Sequence, residues 1–188
     1  MSLKISLFTG LILAACMTPA HADTPSDGVI HFTGEIIEPS CTIDSTNNTV
    51  LLGSYPTSDF TDIGHKTDPV SFIVKLDNCP VQTDGLSAIQ LVLGGTPVPG
   101  RDDLLAVSQI TSPGTTAATN IGIAVSTDAP TPQPVQFNSE DQVWVNLPDP
   151  DGVGNPIMQS FLASYQSYAA GVTAGPADAD MTITILYR

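Results

Sequence analysis

Basic residues are scarce in this sequence: 19 acidic side chains face only five Lys and Arg, and one of these, Lys4, lies near the N-terminus. The formal net charge of −14 at pH 7 argues against nucleic acid as a partner, because its phosphates would be repelled. Charged residues are also few, at 13% against the usual quarter or so. With 41% hydrophobic residues and many Thr, Ser, Asn, Gly and Pro, the composition predicts a folded, turn-rich all-β domain.

Signatures of catalysis and metal binding are missing as well. There is no G-x-S-x-G elbow, no H-E-x-x-H pair and no phosphate-binding loop. The histidines His21, His31 and His65 are scattered without ligand spacing. Asp149 and Asp151 precede a glycine, but the spacing is wrong for a calcium loop and indicates a solvated turn. The sequence therefore predicts no enzyme, no cofactor and no metal site.

No apolar run beyond the first 22 residues is long enough to span a bilayer. Residues 1–22 have the features of a secretory signal: Lys4 gives a positive start, and an apolar stretch follows from Ile5 to Ala15. Ala20-His21-Ala22 offers small residues at the two positions that a signal peptidase recognises. We therefore expect an exported chain that begins at Asp23.

Cysteine usage supports export. Cys16 lies in the leader, which leaves Cys41 and Cys79 to form one disulfide in an oxidising compartment. Closing this loop of about 38 residues stabilises the fold by a few kcal/mol on the chain-entropy model. An alternative remains open, because Leu13-Ala14-Ala15-Cys16 resembles a bacterial lipobox, in which case Cys16 would anchor a periplasmic β-sandwich protein to lipid.

Alternation of apolar and polar residues recurs along the chain with turn residues between the runs. No window shows a convincing helical period, so this pattern predicts a β-sandwich with little helix. Asp102 and Asp103 are predicted to form a turn. The apolar faces of the predicted strands are Phe72, Val74 and Leu76; Ile89, Leu91 and Leu93; Ile121, Ile123 and Val125; Val143 and Val145; Phe161, Ala163 and Tyr165; and Met181, Ile183, Ile185 and Tyr187.

Both ends of the chain have strand-like segments that need a partner. The C-terminal run 181–188 places Met181, Ile183, Ile185 and Tyr187 on one face, which must be buried against something. At the other end, residues 23–33 place Gly28, Ile30 and Phe32 on one face, outside the Cys41–Cys79 loop. This segment is either the first strand of the chain's own sheet or a strand for the sheet edge of another molecule.

Several short motifs follow one another along nearly the whole chain. They are the leader, Gly34–Ile43 with the first Cys, Val50–Tyr55, Phe60, Gly64, Phe72–Pro80 with the second Cys, Val172–Asp180, and the C-terminal strand with its penultimate Tyr187. Each motif alone is weak, but the ordered set is specific. It resembles the chaperone–usher pilins, and the chain is similar to type 1-like fimbrial subunits over nearly its whole length.

The resemblance implies an incomplete immunoglobulin-like β-sandwich, the pilin fold, which lacks its last strand. A periplasmic chaperone would fill the gap along Met181, Ile183, Ile185 and Tyr187, and at an outer-membrane usher the next pilin's extension would replace it. The implied organisation is a signal peptide (1–22), a donor-strand extension (23–33) with Gly28, Ile30 and Phe32, and a pilin domain (34–188).

The implied function is that of a structural subunit of a cell-surface fimbrium, polymerising by donor-strand exchange and supporting cell adhesion. The alternative is an adhesive or tip-proximal minor pilin that binds a host receptor. The proline-rich stretches Pro130–Pro134 and Pro148–Gly152 depart from the family pattern and are compatible with a minor role.

Overall fold

The structure is a computed structural model that describes residues 30–34, 36, 41–44, 49–140 and 142–188. The chain divides into two units, Met1–Thr33 and Gly34–Arg188. The described part of the second unit contains nine strands and one short 3-10 helix, Thr57–Asp59, but no α-helix. The strands are β1 (Thr42–Ile43), β2 (Val70–Asp77), β3 (Ala88–Gly95), β4 (Pro97–Val98), β5 (Arg101–Ala106), β6 (Ile121–Thr127), β7 (Val143–Asn146), β8 (Ile157–Ser167) and β9 (Met181–Tyr187).

The strands form two sheets, which confirms the predicted all-β sandwich. The larger sheet has the order β1-β2-β8-β6-β5-β4, and the smaller has the order β7-β3-β9. Every pairing between these strands is antiparallel. The longest strand, β8, lies between β2 and β6 and pairs with each of them over seven residues.

The core lies between the two sheets and uses the apolar faces that the alternation predicts. From the smaller sheet, Ile89, Leu91 and Leu93 are at most 1% exposed. From the larger sheet, Phe161 is fully buried and its ring stacks on that of Phe72, with the ring centres 5.5 Å apart. Full burial of one such side chain contributes about 1.5–3 kcal/mol, so these faces supply much of the stability.

The prediction of a turn at Asp102 and Asp103 is wrong, because both residues lie within β5. The reason lies in the tertiary contacts of the residues that follow. Leu104 and Leu105, which follow them, are both buried, on opposite faces of the sheet, so the backbone must be extended here. The carboxylate of Asp103 also receives two hydrogen bonds from the Arg101 guanidinium, at 2.7 and 2.8 Å. This pairing lowers the pKa of Asp103 below its ordinary value and makes the acid compatible with a strand.

The connection from β8 to β9 is packed closely against the segment before β6. Asn120 donates its side-chain amide to the carbonyls of Ala170 and Gly171 at 2.9 and 3.0 Å. At Gly175 an added Cβ would lie 2.4 Å from the carbonyl oxygen of Thr116 and 2.6 Å from the amide nitrogen of Ala118. Only glycine fits this position, because both neighbouring atoms belong to the backbone.

We therefore expect Gly175→Ala to destabilise the domain by about 1–3 kcal/mol, the usual cost of forcing a tight contact apart. Urea unfolding followed by circular dichroism measures the change. Gly34→Ala is the matched control, because a Cβ there would meet nothing within 4 Å. Equal midpoints for the two variants would show that the close contact at Gly175 does not exist.

Candidate functional site

The C-terminal strand β9 lies at an edge of the smaller sheet. It pairs with β3 in continuous register from Met181 opposite Gly95 to Tyr187 opposite Ile89. Within the described part of the chain, no strand pairs with its other side. An edge of this kind presents a row of backbone N–H and C=O groups to any further strand that approaches.

The inward face of β9 is only half-buried, although the side chains of β3 directly opposite are at most 1% exposed. The residue pairs are Ile89 with Tyr187, Leu91 with Ile185, and Leu93 with Ile183. Because paired residues share one face of the sheet, the difference in burial arises on the free side of β9. We call this surface, formed by Met181, Ile183, Ile185, Tyr187 and the free backbone edge, the β9 groove.

The core is also incompletely covered on the side of the larger sheet. Apolar side chains of the larger sheet and its connections also pack against the main core while staying half-buried: Cys41, Leu52, Phe72, Val107, Tyr165 and Ala179. A completed sandwich buries such side chains, as the centre of this one does. The incomplete cover is therefore part of the fold, and it agrees with the predicted sandwich that lacks a strand.

One end of the β9 groove is fixed to the disulfide. The Tyr187 hydroxyl accepts a hydrogen bond from the backbone N–H of Cys41 at 3.0 Å. Cys41 forms a disulfide bond with Cys79, as expected from the cysteine usage. Cys41 also precedes β1, which pairs with β2 in the larger sheet. The last residues of β9 are thereby held against the opposite sheet.

The other end is anchored by the segment that leads into β9. The carboxylate of Asp178 accepts hydrogen bonds from the backbone N–H and the hydroxyl of Thr111, at 2.8 and 2.7 Å. These bonds lower the pKa of Asp178, so their stabilising effect is present above the ordinary carboxyl pKa and is lost as pH falls through the lowered value. The Tyr165 hydroxyl donates to the carbonyl of Ala177 at 3.1 Å.

The predicted donor residues fall at the margin of the described chain. Gly28 and the lipidation candidate Cys16 lie outside the described residues. Ile30 and Phe32 are described, and their side chains are 77% and 93% exposed. Ile36 was not among the predicted donor residues, but it is fully exposed and continues the same period-two face. The signal was present, but Gly34 interrupts the apolar row at the point where the extension was predicted to end.

The described residues contain no helix that is long and apolar enough to cross a membrane. Among the same residues, no three His, Cys, Asp or Glu side chains converge as metal ligands would.

Comparison with known proteins decides the family. A model of the family described as fimbrial protein matches residues 30–188, most of the chain. The chain belongs to the fimbrial protein family. Similar curated fimbrial proteins include the type-1 fimbrial protein subunit of Serratia marcescens, 34% identical over 95% of this chain and 94% of that protein. The S-fimbrial protein subunit SfaA of Escherichia coli is 31% identical, over 99% of this chain and 97% of its own length.

Solved structures of fimbrial proteins have the same fold. The P pilus rod subunit PapA superposes with a TM-score of 0.60 at 22% identity, covering 79% of this chain and 99% of that chain. A chaperone–usher pilus structure that concerns rod uncoiling gives a TM-score of 0.59 at 22% identity, covering 90% of this chain and 100% of that one. The predicted pilin fold and the predicted role as a structural fimbrial subunit are both confirmed.

At the disulfide end of the β9 groove, we expect Tyr187→Phe to destabilise the domain by about 0.5–1.5 kcal/mol, since it removes the hydrogen bond from Cys41. Urea midpoints of the two proteins measure the effect. Tyr168→Phe is the control, because Tyr168 is also partly buried but packs against the smaller apolar cluster. A loss as large in the control would mean that the Tyr187 hydroxyl has no special role.

Proposed function

We propose that this fimbrial subunit polymerises by donor-strand exchange, in which the β9 groove accepts a strand from a neighbouring subunit. The strand that the chain donates is the predicted extension 23–33, which we lengthen to Ile36 because of its exposed side chain. The observation that supports this most directly is the half-buried face of β9 beside a free strand edge. The exposed Ile30, Phe32 and Ile36 supply the complementary apolar row. Gly28 would face the groove at the start of that row.

The energetics favour such an exchange. Each large apolar side chain that leaves water contributes about 1.5–3 kcal/mol, and Ile30, Phe32 and Ile36 all leave water in a filled groove. Each new backbone hydrogen bond along the edge of β9 adds about 0.5–1.5 kcal/mol. Strand addition of this type obtains affinity from the backbone and specificity from pockets for alternate side chains. The hydrogen bonds that Cys41 and Asp178 make at the two ends of the β9 groove fix the strand edge in position before a strand binds.

The same open edge would make a free subunit prone to aggregation. We therefore propose that a periplasmic chaperone covers the β9 groove with one of its own strands before assembly. An outer-membrane usher would then exchange that strand for the next subunit's extension. Residues 1–22 would direct export, and the assembled fibre would lie at the cell surface. Any role in cell adhesion would then be to build the fibre that presents an adhesin.

Phe32→Glu in the full chain tests the donor role. A carboxylate cannot enter an apolar groove without a large desolvation cost, so we expect the variant to bind chaperone normally but to give no fibres by electron microscopy when it is the only subunit. Ile73→Glu is the matched control: Ile73 is 52% exposed in β2, on the larger sheet. Normal fibres from the Phe32 variant would overturn the proposal.

Mixing the two proteins sharpens the test. The Phe32→Glu subunit keeps an intact β9 groove, so it can accept a strand from wild type but cannot donate one. We expect each incorporated variant to stop growth at one end, so that mean fibre length falls as its fraction rises. Fibre lengths that do not depend on this fraction would contradict the acceptor and donor roles that we assign to β9 and to the N-terminal segment.

A further inference from the structure

Two loops beside β8 hold exposed aliphatic side chains in fixed positions. One is the proline-rich loop before the strand, in which Val153 is 63% exposed, and Met158 at the start of β8 is 55% exposed. Asp149 donates its amide to the Val153 carbonyl at 3.0 Å, and Val153 donates its own amide to the Asp151 carboxylate at 3.1 Å. The Asn155 side chain reaches the carbonyl of Cys79 at 3.5 Å, beside the disulfide. We call this the disulfide end of the domain.

The second loop lies at the other end of β8 and presents Ile63, which is 66% exposed. The fully buried Ser167 fixes this loop with three hydrogen bonds. Its carbonyl accepts from the Gly64 amide at 2.8 Å, its amide donates to the His65 carbonyl at 3.0 Å, and its hydroxyl donates to the Asp62 carbonyl at 2.6 Å. We call this the Ile63 end.

The two ends are far apart, and β9 connects them. β8 has 11 residues, which span about 35 Å in an extended strand. Tyr187 at the end of β9 bonds to Cys41 and so lies at the disulfide end. Met181 at its start follows closely after Ala177, whose carbonyl accepts a hydrogen bond from the Tyr165 hydroxyl. Tyr165 lies two residues before Ser167 in β8. The start of β9 therefore lies at the Ile63 end.

The covalent chain limits how two joined subunits can be arranged. If the donated strand extends through Ile36, only residues 37–40 separate it from Cys41, and this stretch spans at most about 18 Å. All strand pairs of the domain are antiparallel, and an added strand that continues this pattern runs antiparallel to β9. Its last residue, Ile36, then lies beside Met181 of the accepting subunit. The disulfide end of the donor is thereby brought to the Ile63 end of the acceptor.

We propose that successive copies of this chain make a second, direct contact, in which Val153 and Met158 at the disulfide end of one subunit pack on Ile63 of the next. The inference rests on the proposed donor-strand exchange and adds a heterologous, head-to-tail interface to it. Carboxylates flank both patches, with Asp149 and Asp151 at one end and Asp62 at the other. The contact is therefore apolar with an acidic rim, and it fixes the angle between neighbouring domains along the fibre.

Cross-linking within assembled fibres tests the contact. The full chain with Ile63→Cys and Val153→Cys is expressed with its chaperone and usher, and the fibres are treated with a short bis-maleimide. We expect denatured, reduced samples to show a ladder of covalent oligomers that includes most subunits. Each single variant should stay monomeric. The pair Val153→Cys with Thr131→Cys should stay monomeric as well, because the exposed Thr131 lies in the loop after β6, which bonds to Ser160 toward the start of β8 and so is away from the Ile63 end.

The outcomes separate the two proposals. Normal fibres without a ladder from the double variant overturn this inference and leave donor-strand exchange intact. A ladder from Val153→Cys alone means that two disulfide ends meet, which also overturns it. If the Phe32→Glu variant still forms fibres when it is the only subunit, the proposed donor-strand exchange itself is overturned.

A second variant tests the same contact without introduced cysteines. Ile63→Asp should leave binding of a peptide of residues 23–36 within about twofold of wild type, yet speed fibre dissociation in guanidinium by about tenfold or more. Ile73→Asp, which adds the same charge on the larger sheet, should dissociate like wild type. Equal dissociation rates for Ile63→Asp and wild type contradict the proposed contact.

Discussion

The structure depends on one constraint: a β-strand with a single neighbour can satisfy only one side of its backbone, and β9 is such a strand within the described chain. Its position at the edge leaves Ile183, Ile185 and Tyr187 half-buried, although their partners on β3 are completely enclosed. A further strand added at this edge would complete the core. Under the proposed donor-strand exchange, the strand that joins two subunits also completes the core of the accepting one, which accounts for the half-buried apolar face of β9.

An open edge is useful only if it keeps its shape while it is empty. The anchors at its two ends serve this purpose, since Tyr187 is bonded to the backbone beside the disulfide and Asp178 is bonded to Thr111. Both bonds join β9 and its approach to other parts of the domain rather than to sequence neighbours. An edge fixed in this way loses little conformational freedom when a strand arrives, so most of the ordering cost falls on the donor segment.

The alternation of apolar residues along the sequence predicted which side chains are buried. Features that depend on contacts between residues far apart in the sequence were not predicted. Alternation of apolar residues was sufficient to place Ile89, Leu91 and Leu93 in the core, because a strand has only two faces. It could not predict that β8 lies between β2 and β6, since register and neighbours are non-local. The two acids of β5 look like a turn until the ion pair with Arg101 and the burial of Leu105 are known. The buried Ser167 was equally hidden, because all its partners come from a loop about 100 residues away.

The acidity of the chain determines what kind of force can join its copies. Three of its few bases are engaged within their own chain: Lys75 with Asp44 and Asp77, Arg101 with Asp103, and Arg188 with Glu140. Two subunits brought together therefore repel through their surfaces, although salt at physiological strength screens this repulsion beyond about 8 Å. Attraction between copies must come from apolar burial and from backbone hydrogen bonds, both of which act at contact and neither of which needs charge. Long-range repulsion with short-range strand insertion favours the one alignment in which the groove is filled, and it disfavours random collision of exposed edges.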